Sequence, residues 1–237
     1  MTMRIVRRVT KRAFDLAFVL VAAPVALPVG IAGAALVKLT SPGPAIFAHP
    51  RIGRGGSTVR VKKLRTMVKD AASRGAAVTA SQDPRITPVG RLLRKTKIDE
   101  LPQLINVVMG EMSVVGPRPE APAYVDREDP RWHMVLSVPP GITDLASLAF
   151  RHEEDLLALA IDRERAYREV ILPSKLALAA QGIERSSFVF DISIVARTAL
   201  AIVRMTPSHE EGVVRDARER ILQLNASLRD QTADCIH

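Results

Sequence analysis

From Leu16 to Val37 the chain runs for 22 residues without a charged side chain. As a helix that is roughly 33 Å, enough to reach across the hydrocarbon of a bilayer. A secretory leader has a short apolar core and a small-residue cleavage site ahead of a soluble domain. Here the run is long and leads straight to Lys38 and a dense basic region. Two features argue against an ordinary span. Pro24 and Pro28 lie near its middle, with Gly30 and Gly33 behind them, and an interior proline costs about 3 kcal/mol in an unsupported helix. Both flanks are also basic, with Arg4, Arg7, Arg8, Lys11 and Arg12 before the run and Lys38, Arg51, Arg54, Arg60, Lys62, Lys63 and Arg65 after it. Positive flanks stay in the cytoplasm. A segment that enters one leaflet, bends at Pro24 and returns satisfies both constraints. We therefore read residues 1–39 as a re-entrant membrane anchor turning at Pro24 and Pro28. The alternative is a kinked transmembrane helix whose bundle partners come from other chains.

Composition narrows the partner. The 237 residues include 34 Lys+Arg and 25 Asp+Glu, and with 47% hydrophobic residues the chain is globular rather than disordered. The charge is lopsided: residues 1–97 carry 19 Lys/Arg against 3 Asp/Glu. So basic a front half needs a membrane surface, a nucleic acid or a phosphorylated substrate opposite it. The single cysteine, Cys235, excludes a disulfide framework and a cysteine zinc site. His49, His133, His152, His209 and His237 show no metal-ligand spacing, which makes zinc an unexpected cofactor. Aromatics are only 4%, and no helix-turn-helix or zinc signature is present, so no nucleic acid partner is expected. A membrane-tethered nucleic-acid-binding protein is the more distant rival.

The expected fold class is α+β and predominantly helical. It combines the re-entrant helix, interfacial amphipathic helices and a small β element. Thr40-Ser41-Pro42-Gly43-Pro44 is a run of turn residues that ends the anchor. A catalytic domain over 40–205 and a charged helical tail over 206–237 follow. Val59-Arg60-Val61 and Ser113-Val114-Val115 read as short strands, 88–95 and 99–109 as helices, and the chain beyond Asp129 as mostly helical. Ser187 to Met205 reads as an amphipathic helix on a membrane or core. His152-Glu153-Glu154-Asp155 reads as a solvated helix start, and Trp132 as core or interface packing.

The chemistry-bearing residues are concentrated between Arg85 and Pro119. Asp99-Glu100-Leu101-Pro102 opens a helix, with Asp99 near its N-cap and proline in the first turn. Arg85, Arg91, Arg94, Lys95 and Lys97 lie just upstream and Arg118 just downstream. Adjacent carboxylates among so many cations fit a site in which one attacks a phosphate and the other holds a metal. Acidic residues favoured by the helix dipole are the plainer explanation of the same pattern.

Longer blocks then add to that pattern. Lys62-Lys63-Leu64-Arg65-Thr66-Met67, Asp83-Pro84-Arg85-Ile86-Thr87-Pro88-Val89-Gly90, Ile98-Asp99-Glu100-Leu101-Pro102-Gln103-Leu104-Ile105-Asn106-Val107 and Gly110-Glu111-Met112-Ser113-Val114-Val115-Gly116-Pro117-Arg118-Pro119 stand in order. Together with Ser41-Pro42-Gly43-Pro44 and Pro140-Gly141-Ile142-Thr143, they resemble the bacterial sugar transferase family, the monotopic phosphoglycosyl transferases, over roughly residues 10–205. The resemblance implies transfer of a sugar-1-phosphate from a UDP-sugar to undecaprenyl phosphate, with UMP released, at the cytoplasmic face of the bacterial inner membrane. Such a step starts a surface glycan, which implies downstream glycosyltransferases as partners. Carried to this chain, Asp99 is the nucleophile that takes up the phosphosugar, and Glu100 binds Mg²⁺. Arg94 and Arg118 bind phosphate, while Arg65 and Arg85 bind phosphate or sit as surface charge near lipid headgroups.

Three departures from the family pattern stand out. Ala23 replaces the serine often found before the helix-breaking proline. Asp144 stands where many relatives have glycine, in a loop that affects sugar choice if it touches the substrate. Lys97 replaces a small polar residue, and its ammonium is placed to lower the pKa of Asp99 or to point at solvent. A catalytically silent scaffold is the nearer rival reading, against which the intact Asp99-Glu100 pair argues. A homodimer through the C-terminal helices is a further expectation.

Overall fold

In the computed structural model of the chain, the described residues are 2–71, 79–80, 83–204 and 212–234. His209, Cys235 and His237 lie outside them. The apolar run forms most of α1 (Thr2–Thr40), with Pro24 and Pro28 both inside the helix. Among the described residues it is the one helix long and apolar enough to cross a membrane. Its middle is bare: Leu20 is 75% and Val21 79% exposed, while Asp15 and Val37 on either side are buried.

Both ends of α1 pack on the rest of the protein. On the first arm, Asp15 Oδ1 accepts from the Ser113 hydroxyl and the Val114 amide, each at 2.9 Å. Lys11 makes a 2.7 Å ion pair with Asp191. On the second arm, Val37 joins Leu64 and Leu93 in a small core.

A hairpin follows, β1 (Ile46–Ile52) and β2 (Thr58–Leu64), antiparallel with Ile46 opposite Leu64 and Ile52 opposite Thr58. Alternation in β2 buries Val59 and Val61 on one face, and Leu64 is buried on the other against Val37 and Leu93. The helix α2 (Pro88–Lys95) starts where Thr87 accepts from the Gly90 amide at 2.9 Å and proline fills the first turn. Gly90 lies so close to Thr66 that a Cβ would stand 2.0 Å from the Thr66 carbonyl oxygen. The expected 99–109 helix divides into a 3₁₀ turn, Ile98–Glu100, and α3 (Gln103–Met109), which Gly110 ends at φ 79°.

The strand β3 (Ser113–Val115) pairs in parallel with β4 (Gly141–Thr143), a pairing the sequence did not show. The two glycine blocks meet here. A Cβ on Gly141 would sit 2.2 Å from the Gly116 nitrogen, so neither backbone tolerates a side chain at the crossing.

The remaining helices build the main core. They are α4 (Pro130–Val135), α5 (Leu145–Ala149), α6 (Glu153–Ala158), α7 (Arg163–Ala166), α8 (Leu172–Arg185), α9 (Phe188–Arg204) and α10 (Gly212–Asp234). Trp132, Phe150, Leu157, Tyr167 and Ile171 are buried together, and Val214, Ala217 and Ile221 of α10 enter the same cluster. The charged tail helix thus turns its apolar face into the core. The inner side of α9 buries Ile194 against Val61, Val107 and Val114, while Phe188, Val189 and Val203 are exposed. An exposed apolar surface of this extent, shared by α1 and α9, suits lipid contact.

Candidate active site

The dyad is positioned by a forced turn. The cap residue of α2 is Thr96, and Lys97 follows at φ 58°, a left-handed conformation that a side chain disfavours. That turn sends Ile98–Glu100 back under β2. Asp99 is 6% exposed, and its Oδ1 is buried without a hydrogen-bond partner. Glu100 is engaged on both oxygens. Lys63 of β2 donates to Oε1 at 2.9 Å, and Arg118 donates to Oε1 at 2.5 Å and to Oε2 at 3.2 Å.

These environments separate two neighbouring carboxylates. Burial raises the pKa of Asp99, against the lowering pull of Lys63. Burial opposes ionisation of Glu100 too, but Arg118 and Lys63 outweigh it and hold its carboxyl well below the ordinary range. The Arg118 guanidinium is raised by Glu100 and stays charged. Lys97 does lower the Asp99 pKa, as expected, but burial is the larger effect and the net direction is upward.

The arginines divide into two groups. Arg94 and Arg118 belong to the dyad's surroundings: Arg94 is among the charges acting on Asp99, and it donates to Thr66 Oγ1 at 2.9 Å and to Glu154 at 2.8 Å. Arg65 and Arg85 are committed to the fold. Arg65 clamps the turn after α1 through the Pro42 and Ser41 carbonyls at 2.6 and 2.8 Å. Arg85 pairs with Asp83 at 2.7 Å and donates to the Ala71 carbonyl.

The acidic run at 152–155 starts α6 with His152 and Asp155 exposed, as read, but two of its carboxylates are paired. Glu154 holds Arg94, and Glu153 reaches buried Lys175 at 3.0 Å. Lys175 also pairs with Glu120 at 2.8 Å and touches the Tyr167 hydroxyl at 3.1 Å. A small cavity beside this network is lined by Arg118, Trp132, Asp144 and Lys175. Asp144 caps α5 by accepting from the Ser147 amide at 2.7 Å, so the departure at this position has a structural role.

The sequence reading missed Lys63, Glu120, Lys175 and Asn106 as parts of the site. Lys63 sat in plain view beside Lys62, but only the strand's alternation tells which of the two faces the dyad. Asn106 ties α3 to β2, accepting from the Lys62 amide at 3.0 Å and donating to the Arg60 carbonyl at 2.9 Å. The inward face of α3 pairs polar Gln103 and Asn106 with apolar Val107, whereas Ile105, Val108 and Met109 are exposed.

Among the described residues no group of three His, Cys, Asp or Glu side chains is placed to hold a metal ion. Glu100, the Mg²⁺ ligand that the resemblance implies, has both oxygens on Lys63 and Arg118 and fits the ion only by exchanging one of these cations, whereas Mg²⁺ commonly takes one or two carboxylates and completes its octahedron with water and substrate phosphates.

A buried carboxylate dyad flanked by cations and a long apolar N-terminal helix can now be set beside known proteins. The model of the bacterial sugar transferase family matches residues 6–205, and the chain belongs to that family. It is 32% identical over 215 residues to the exopolysaccharide production protein ExoY of Rhizobium meliloti, covering 84% of this chain and 88% of that one. It is 45% identical over 117 residues to a putative undecaprenyl-phosphate N-acetylgalactosaminyl 1-phosphate transferase of Bacillus subtilis, covering 49% of this chain and 65% of the relative. It is 39% identical over 148 residues to the UDP-glucose:undecaprenyl-phosphate glucose-1-phosphate transferase of Caulobacter vibrioides, covering 61% of this chain and 55% of that one. Another relative, from Aeromonas hydrophila, is matched over only 35% of its length.

Proposed function

We propose that the chain transfers a sugar-1-phosphate from a UDP-sugar to undecaprenyl phosphate at the cytoplasmic face of the bacterial inner membrane, initiating a surface glycan. The observation that carries this is the split dyad: Asp99 has a free buried oxygen, beside a Glu100 neutralised by Lys63 and Arg118. A free carboxylate oxygen is what a nucleophile needs, and the balanced neighbour keeps total charge low enough for a diphosphate to enter.

In the first step an Asp99 oxygen forms a bond to the phosphorus that carries the sugar. The bond from that phosphorus to the bridging oxygen breaks, and UMP leaves with the electron pair. In the second step an oxygen of the lipid phosphate attacks the same phosphorus and returns Asp99 to its carboxylate. No net proton is consumed. Arg118, with Arg94 after it exchanges Glu154 for phosphate, stabilises charge on the transferred oxygens. Glu100 is the residue that would hold Mg²⁺ together with the substrate phosphates, exchanging Lys63 or Arg118 for the ion. When bound, the ion would neutralise charge on the diphosphate.

We read α1 as re-entrant, and its contacts support that reading. Arg12 donates to the Val107 and Val108 carbonyls at the end of α3, while Gly30 lies against Leu101 just ahead of α3. A straight helix would put residues 12 and 30 about 27 Å apart, whereas seven residues of α3 span about 10 Å. Both arms therefore meet the same body, and Leu20 and Val21 stand out from it toward lipid. The active site then lies where a water-soluble nucleotide sugar and a lipid phosphate meet.

The test is UMP release from a panel of UDP-sugars by detergent-solubilised protein with Mg²⁺ and undecaprenyl phosphate. Release that requires the lipid and is lost in Asp99→Asn is the expected result. Release that survives Asp99→Asn would reject the mechanism.

A further inference from the structure

The face of α3 turned toward β2 carries a buried polar side chain that the mechanism above does not use. Gln103 is 1% exposed and stands four residues after Asp99. Leu101 and Pro102 between them have helical backbone angles, so Asp99 and Gln103 lie about one turn apart at the start of α3, and both are buried. Asn106, three residues on, continues the stripe and points to β2 through Arg60 and Lys62.

The stripe is unevenly satisfied. Asn106 uses its amide fully: Oδ1 accepts from Lys62, and Nδ2 donates to Arg60 and to Glu111 at 2.6 Å. Gln103 Nε2 is buried with no partner, and so is Asp99 Oδ1. Buried donors without partners are rare and costly. A methionine would fill the same space without that penalty. The two orphans do not bond one another, although one donates and the other accepts. A group that takes a bond from Asp99 and offers an oxygen to Gln103 satisfies both at once. A phosphoryl group has that chemistry.

We propose that Gln103 is a further catalytic residue, whose Nε2 donates to a non-bridging oxygen of the phosphoryl group as Asp99 captures it. This rests on the reading of Asp99 as nucleophile. Gln103 gives up no proton. Its N–H meets charge on the transferred oxygens while the bond to Asp99 forms and the bond to UMP breaks. The orphaned donor is then a pre-arranged contact, unsatisfied until substrate arrives.

The experiment uses the full chain in detergent, with UDP-glucose and UDP-N-acetylgalactosamine as donors, undecaprenyl phosphate and Mg²⁺, and UMP release as readout. Gln103→Met, Gln103→Glu and Asp99→Asn are compared with wild type. Removing one such donor lowers rates by about 10²–10³-fold, and that loss is expected for Gln103→Met with a melting temperature at or above wild type. Gln103→Glu keeps the shape but presents an anion at neutral pH. Its rate relative to wild type should rise as pH falls from about 8 to about 5.5, because the protonated carboxyl donates again. A packing role would not produce that recovery. A Gln103→Met rate within about threefold of wild type, or no recovery in Gln103→Glu, overturns the proposal. UMP release undiminished in Asp99→Asn would instead overturn the reading of Asp99 on which it rests.

Discussion

Arg118 donates to both carboxylate oxygens of Glu100, at 2.5 and 3.2 Å, while Asp99, one residue earlier in the chain, keeps Oδ1 buried and unbonded. Two adjacent carboxylates are thereby given opposite acid–base behaviour, which is how a site assigns separate roles to a pair.

Asp99→Asn is expected to abolish UMP release and to stabilise the protein. The folded pKa of Asp99 is raised above its ordinary value of 3.8. Its ionised form therefore costs stability above that pH, and the cost disappears as pH falls through it. The gain from asparagine should be present at neutral pH and shrink near pH 4. A rise of roughly 2–4 °C corresponds to about 1 kcal/mol in a chain of this size. Thermal melts at both pH values check the sign.

The acid limb of the pH–rate profile should report Asp99. Lys63 is the largest charge opposing burial there, and Lys97 acts in the same direction. Lys63→Met therefore moves the limb to higher pH, since the nucleophile becomes harder to ionise. Lys97→Gly moves it less, and it also relieves a left-handed side chain, stabilising the turn by about 1 kcal/mol. Profiles of UMP release for the two variants, with melting curves for Lys97→Gly, test both statements. A limb shifted to lower pH would contradict the electrostatics.

Arg65 and Arg118 should separate in kinetics. Arg65→Lys loses the fork that clamps the Ser41 and Pro42 carbonyls and should destabilise by about 1–3 kcal/mol. The folded fraction should keep its KM for the UDP-sugar. Arg118→Lys loses the two-pronged contact to Glu100 and a phosphate ligand, so its kcat/KM should fall by about tenfold or more. Steady-state kinetics alongside unfolding curves distinguish the two.

Gly141→Ala tests the crossing of β3 and β4. The new methyl would meet the Gly116 nitrogen at 2.2 Å and the Gly116 oxygen at 2.3 Å, and backbone on both sides prevents escape. We expect a loss of about 1–3 kcal/mol, the usual range for overpacking, seen as a lower unfolding midpoint.

How far the sequence speaks depends on the range of the interaction. Asp99, Glu100 and Arg118 were legible because their motif neighbours are local. The span of α2, read as 88–95, was legible for the same reason. The uncharged run announced α1 by length alone, with Pro24 and Pro28 both inside the helix. The β3–β4 pairing was hidden because each strand has three residues and 25 others separate them. Lys175, Glu120 and Glu153 were hidden likewise: each reads as an ordinary surface charge until the helices bring them together around Tyr167. Arg65 and Arg85 were counted among phosphate ligands or surface charges because charge is visible in a sequence and carbonyl partners are not.

The central claim is a covalent sugar-phosphate on Asp99, and mass spectrometry tests it most directly. Purified protein would be mixed with Mg²⁺ and each UDP-sugar of the panel without undecaprenyl phosphate, quenched, and analysed intact and as peptides. The account predicts an adduct of one phosphosugar on the peptide containing Asp99. It should be absent in Asp99→Asn and discharged when the lipid phosphate is added. An adduct on another residue, or lipid-dependent UMP release by wild type with no adduct and undiminished in Asp99→Asn, would contradict it.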